Sequence, residues 1–133
     1  MKVVDASVAF KWLVDETGTE AALEIARSND LIAPDLLWSE VANGLWRKTM
    51  QGDIDGQSAL SVMPILDRMI GERVASPDLM HNALDLAISL GHPVYDCVYL
   101  ALARQRGIAL VSADERLIGK VRASGLTVAV ETL

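Results

Sequence analysis

The stretch from His92 to Arg104, HPVYDCVYLALAR, constrains this chain more than any other. From Tyr95 to Ala103 it is apolar on every side except at Asp96. A helix that is apolar all round belongs in an interior, and Ala101 and Ala103 let neighbouring elements approach its backbone closely. Its one carboxylate falls in the first turn. An isolated buried charge is very costly unless something pairs with it or coordinates it. A helix N-terminus offsets that by about 0.3–1 kcal/mol, or up to ~2 when partly buried. That is too little for a desolvated carboxylate, so Asp96 requires a partner.

The rest of the chain reads as elements that could surround such a helix. Lys2 to Val4 is a short β-branched strand, and Ala6 to Leu13 turns helical. Thr17 and Glu20 have capping-box spacing for a helix from about Thr19 to Ser28. Leu31 to Ala33 is a minimal strand, and Pro34 opens a long helix to about Gln51, stopped by Gly52. A helix over Asp55 to Met69 is kinked or divided by Pro64. Val74 and Ala75 form another minimal strand, and Ser76-Pro77-Asp78 starts a helix that Gly91 ends at Leu90. After the Tyr95 helix and Gly107 come a strand from Ile108 to Ser112, a helix from Asp114 to Ser124 and a strand from Leu126 to Val130. Continuous apolar strands alternating with helices predict an α/β class, a small parallel β-sheet covered on both faces by helices.

At 133 residues the chain is expected to be a single domain, 1–133. No apolar run approaches the ~18 residues of a membrane span, and the N-terminus lacks the apolar stretch of a signal peptide, so the cytoplasm is the expected compartment. The lone Cys97 excludes an internal disulfide and a thiolate metal cage, and reads as a small core residue. A net charge of −6 weighs against polyanion binding. The charge is uneven, however: residues 104–122 carry Arg104, Arg106, Arg116, Lys120 and Arg122 against only Asp114 and Glu115.

In open parallel sheets, ligands bind beyond the carboxyl ends of the strands. Asp5 and Asp114 follow two such ends. In the long helix, Leu37, Trp38, Val41 and Leu45 form an apolar stripe; Glu40 lies about 60° off its margin, with Asn43 and Arg47 on the same side. Each piece alone has an ordinary reading. An Asp after a strand is often a helix cap, a lone Glu is a solvated helix residue, and Arg47-Lys48 is a solvated face. His81 and His92 lack a paired ligand and read as surface residues.

Taken in order, Asp5-Ala6-Ser7, Glu40 with Asn43 and Leu45, Tyr95-Asp96 with Tyr99 to Ala103, and Ser112-Ala113-Asp114 resemble the motifs of PIN-domain ribonucleases. Most of all they resemble the VapC-like toxin half of VapBC toxin–antitoxin pairs. The likeness spans the chain and includes Ala33-Pro34 and Gly107, with Ser112 where the family often has threonine. It implies the PIN fold and a Mg²⁺ or Mn²⁺ site built from Asp5, Glu40, Asp96 and Asp114. Ser7, Asn43 and Ser112 would be hydrogen-bonding neighbours, and the activity that of an endoribonuclease. The physics agrees, since hard cations take oxygen ligands and clustered carboxylates repel by about 4 kcal/mol per close pair at a surface-like dielectric. A bound cation turns that repulsion into binding and can activate a water for attack on phosphorus. Asp5 and Asp96 are the first choices as ligands.

The resemblance also implies a homodimer, in which Arg47, Lys48, Arg104 and Arg116 could pool into a cationic edge for RNA, and an antitoxin whose C-terminal segment shuts the site. Four of the six aromatic residues, Phe10, Trp12, Trp38 and Trp46, lie in the first helix and the Glu40 helix. Trp12 and Trp38 are expected to be buried and the remainder to line an apolar groove near Trp46 for that segment. Rival enzyme classes fit poorly: a dehalogenase-type phosphatase wants an acid where Ser7 stands, and a receiver wants a lysine at a late strand end, whereas Lys120 falls in a helix. There is no Walker loop and no dinucleotide fingerprint. The remaining alternatives are a PIN-like protein-binding scaffold without catalysis, and a nuclease acting on DNA, because the acids themselves do not sense a 2′-OH.

Overall fold

Short apolar runs become the three inner strands and more polar triplets the two edges, and in a computed structural model describing residues 1–133 the five form one sheet. The strands are β1 (Lys2–Val4), β2 (Leu31–Pro34), β3 (Glu72–Val74), β4 (Leu110–Ser112) and β5 (Val130–Thr132). Their order is β3-β2-β1-β4-β5, and every pairing is parallel. From β1 the chain crosses to β2 on one side and returns as β4 on the other. The carboxyl ends of β1 and β4 therefore flank the topological switch point, where open α/β sheets place their ligands.

Helices α1 (Ala6–Leu13), α2 (Thr19–Ser28), α3 (Leu36–Met50) and α4 (Gly56–Val62) pack as one group, and α6 (Met80–Leu90), α7 (Val94–Arg106) and α8 (Glu115–Ser124) as another. Proline 64 divides the fourth predicted helix, leaving α5 (Ile65–Met69) as a separate piece. The run around Asp96 is central as expected: Cys97 to Ala103 are all buried, and α7 lies on β1 and β2 and against α6. Trp12 is buried and donates from Nε1 to the Ala22 carbonyl at 2.8 Å, fastening α1 to α2. Where α1 and α3 meet, a Cβ on Gly44 would come within 2.9 Å of the Phe10 ring, so a side chain there would force Phe10 or the helices to shift. No single helix is long and apolar enough to cross a membrane.

Several boundaries differ from the sequence expectation. The Thr17–Glu20 capping box does not form; Gly18, at φ +93°, is the N-cap of α2, and the Thr19 hydroxyl accepts from the Glu16 amide instead. The helix predicted from Ser76 begins as a single 3₁₀ turn, Ser76–Leu79, before α6. The last strand is not Leu126 to Val130 but Val130–Thr132. There the Leu110 amide donates to Ala129 O and the Leu133 amide to Ser112 O, so the register of β4 fixes the edge strand rather than the apolar run.

Gly107, the left-handed C-cap of α7 at φ +64°, and Gly119 within α8 both have open space where a Cβ would be. The two sites therefore isolate backbone conformation from packing. Gly107→Ala should destabilise the protein by roughly 1–2 kcal/mol, the left-handed penalty. Gly119→Ala should stabilise it by roughly 0.5–1 kcal/mol. Urea unfolding of both variants checks this, and shifts of the same sign would refute it.

Candidate metal centre

Asp5 leaves β1 in extended conformation (φ −99°, ψ 178°) and turns its side chain back onto α1. Its Oδ1 accepts from the Ser7 amide at 3.0 Å, the Val8 amide at 3.3 Å and the Ser7 hydroxyl. The Ser112 hydroxyl lies 3.3 Å from Ser7 Oγ and also within reach of the Asp5 carboxylate. Ser7 Oγ also accepts from the Ala113 amide, and Ser112 Oγ from the Asp114 amide. These serine hydroxyls join the carboxyl ends of β1 and β4.

The structure brings three of the four predicted acids into electrostatic reach of one another. Asp5 is only 5% exposed, and burial pushes its carboxyl up to about 6. The Ser112 and Ser7 hydroxyls and the Val8 amide oppose that rise, while the negative charge of Asp96 adds to it. Glu40, half-buried on α3, is also raised, chiefly by burial and then by Asp96 and Asp5; the Tyr99 hydroxyl, donating to its Oε1 at 2.9 Å, works against the shift. No lysine or arginine pairs with Asp5, Glu40 or Asp96.

The donor set fits a hard divalent cation. In each of the three acids one carboxylate oxygen is held by protein donors, Oδ1 of Asp5, Oε1 of Glu40 and Oδ2 of Asp96. The side chains as they stand do not form a ready group of three His, Cys, Asp or Glu ligands around one point. That is consistent with Mg²⁺, which typically keeps several waters and takes one or two carboxylates directly.

The other predicted residues divide. Asp114 caps α8, its Oδ1 accepting from Arg116 N at 3.1 Å and Leu117 N at 3.2 Å, and it reaches the cluster only through Ser112 and Ser7. Asn43 is exposed and makes no side-chain hydrogen bond, so it does not support the acids as expected. Arg104 lies two turns down α7 from Asp96, ~12 Å along the axis, and so does not join the acids within one chain. Cys97 is buried as expected, and burial and then Asp96 push its thiol up to about 11.

Two residues at the site were not singled out from the sequence. Tyr99 is fully buried one turn after Asp96, and its hydroxyl bridges α7 to α3 through Glu40. Burial and the neighbouring Glu40 charge raise it far above the usual phenol range, so it stays protonated and acts as a donor. His92 was read as a surface residue. Its side chain is instead 6% exposed, and Nε2 lies 2.6 Å from Asp96 Oδ2. The signal was present in both cases as helical spacing, three and four residues from Asp96.

Glu40 and Ser7 line a cleft of about 540 Å³ together with Lys11, Arg47 and Lys48. Lys11 is engaged with Glu16 and Lys48 with Asp53, whereas Arg47 has no acidic partner. The aromatic residues do not make one groove. Phe10 lies in this cleft; Trp38 is half-buried, with its N–H on Asp67 and Arg73 stacked 3.9 Å from its ring. Trp46, 58% exposed, lines a separate apolar groove of about 280 Å³ with Leu60, between α3 and α4. Six residues from Glu40 on the same helix, it faces ~120° away from the acids.

A family model described as PIN domain matches residues 2–122. Ribonuclease VapC3 of Pyrobaculum aerophilum is 32% identical over 121 residues, 89% of this chain and 92% of the relative. Among solved structures, VapC20 of Mycobacterium tuberculosis, described as a sarcin-ricin loop cleaving toxin, superposes with a TM-score of 0.72 at 16% identity. It covers 96% of this chain and 97% of that one. VapBC2 of Rickettsia felis, bound to a DNA fragment from its promoter, gives 0.69 at 11% identity, covering 99% and 98%.

The raised Asp5 carboxyl has a consequence for stability. Between the ordinary value of 3.8 and about 6 the folded state binds more protons than the unfolded one, so stability falls as pH rises through that window. With metal chelated, Asp5→Asn keeps the Oδ1 cap and removes this loss. It should be more stable than the native protein by about 3 kcal/mol at pH 7.5, and the gain should vanish near pH 3.5. Denaturant unfolding at the two pH values checks it; a pH-independent difference would contradict the buried, charged Asp5.

Proposed function

Because the chain belongs to the PIN domain family and has VapC ribonucleases as relatives, we propose that it is a Mg²⁺- or Mn²⁺-dependent endoribonuclease, the toxin half of a toxin–antitoxin pair. The observation that carries the reading is the cluster of Asp5, Glu40 and Asp96, unpaired by lysine or arginine, at the switch point of the sheet. Asp5 and Asp96 would hold the cation directly. Glu40, fixed by Tyr99, and Asp114, fixed as the cap of α8, would act on its waters. Ser7 and Ser112 keep Asp5 in place. A divalent cation there would supply an activated water and stabilise the leaving oxygen in phosphodiester hydrolysis.

Binding of RNA follows from the rim of the same cleft. An acidic protein holds a polyanion only where cations are locally concentrated, and Arg47, Lys48 and Lys11 line the same cleft as Glu40. The whole chain, 1–133, is taken as one functional domain acting in the cytoplasm. The partner reading is an antitoxin whose C-terminal segment anchors at Trp46 and Leu60, the most exposed part of the apolar groove on α3 and α4. A homodimer belongs to the same reading; the exposed row Met80, Leu84 and Ile88 on α6 is apolar surface that it could bury.

Cleavage of matched RNA and DNA oligonucleotides, with Mn²⁺ and with chelator, tests the activity. RNA should be cut only with the cation present, and DNA left intact. Asp96→Asn should lose more activity than the ~10–100-fold that removing a hydrogen bond behind a metal ligand typically costs. Its melting curve should show it folded. A metal-independent nuclease, or a fully active Asp96→Asn protein, would refute the reading.

A further inference from the structure

The turn between α6 and α7 buries a histidine with one nitrogen engaged and the other idle. His92 Nε2 is 2.6 Å from Asp96 Oδ2, and Nδ1 is enclosed with no hydrogen-bond partner. A carboxylate accepts only, so the proton lies on Nε2, which donates. A buried polar atom without a partner works against folding. For packing alone, an apolar side chain of similar size would serve better at this place. What a histidine adds here is the donor at Nε2.

That donor completes a pattern. The hydroxyl of Ser7 holds one oxygen of Asp5, the hydroxyl of Tyr99 one oxygen of Glu40, and the ring of His92 one oxygen of Asp96. Asp96 is the least buried of the helix residues from 96 to 103, with its side chain 32% exposed, and nothing else in the protein fixes its orientation. Because histidine and aspartate lie four residues apart across the start of α7, with His92 just before the helix, the contact also ties the entry turn to its first turn.

We propose that His92 is a positioning residue for the metal site: it holds Oδ2 of Asp96 and so presents Oδ1 to the cation. The inference rests on the metal-site reading above. The ring touches neither the cation nor the substrate, and its contribution is the orientation of the ligand.

Mn²⁺ titrations followed by electron paramagnetic resonance of the free ion test it without reference to activity. The proteins compared are the native chain, His92→Leu, His92→Gln and Asp96→Asn, each first melted in chelator to establish folding. His92→Leu should bind Mn²⁺ about ten-fold more weakly, the usual effect of losing a hydrogen bond behind a metal ligand. His92→Gln, whose amide nitrogen reaches the Nε2 position, should recover most of that loss. Should His92→Leu fail to fold, His92→Met takes its place. Equal losses in the Leu and Gln variants would mean that ring packing matters and the donor does not. Unchanged binding in His92→Leu would mean that the donor contributes nothing to the site, and tighter binding that the histidine holds Asp96 away from the cation. Each of these results overturns the proposal while leaving the metal site standing. Equal binding by the native chain and Asp96→Asn would instead overturn the metal-site reading, and this inference with it.

Discussion

Mutual repulsion among Asp5, Glu40 and Asp96 is the constraint on which the rest of the structure depends. Each is drawn out of water by a different element, Asp5 by the end of β1, Glu40 by α3 and Asp96 by the first turn of α7. Burial raises the first two carboxyls, and the Asp96 charge raises both further. The cap that Asp5 makes on α1 and the helix N-terminus at Asp96 offset this cost only in part. The arrangement is held because each acid has a dedicated donor behind it, and because the scaffold carrying those donors is among the most buried parts of the protein. Tyr99 and Ser112 are fully buried, and the contact of Phe10 with Gly44 lets α1 and α3 close around the site.

The sheet order explains why the acids meet. A chain that runs from β1 outward to β3 and then returns as β4 leaves a crevice beside the ends of β1 and β4. The Ser7–Ser112 contact spans that crevice and joins two segments more than a hundred residues apart in sequence. Helix α7, buried over its whole middle, carries Asp96 and Tyr99 to the same edge on one face. Stability and function are thus in tension at one place: the core positions charges that the core itself does not favour.

Much of this was legible in the sequence for identifiable reasons. Glycine stops and the division at Pro64 depend on local conformation, which local residues determine. Asp96 was conspicuous because a carboxylate in an apolar run has no local explanation. What escaped notice depends on space rather than neighbours. His92 looked solvated because histidines usually are, and only the tight α6–α7 turn encloses it. Asn43 shares a helix side with Glu40, yet helical phase alone does not say how far the cleft extends. Arg104 belonged to a cationic segment, but the direction of α7 carries it away from the acids. Trp46 groups with Phe10 because both lie on the two helices beside the acids, and the helix surface separates them. The strand at Val130–Thr132 was displaced from its apolar run because an edge strand takes its register from β4.

A cation that replaces protons on buried carboxyls must release them, and counting those protons probes the central claim most directly. Isothermal titration of Mn²⁺ into the protein, repeated in buffers of different ionisation enthalpy, gives the number. With the Asp5 carboxyl at about 6, binding at pH 6 should release at least about half a proton per ion, falling toward zero near pH 8. Asp5→Asn should release correspondingly less. Binding heats that are independent of buffer at pH 6 would contradict the account, because the acids would then not be the groups that meet the metal.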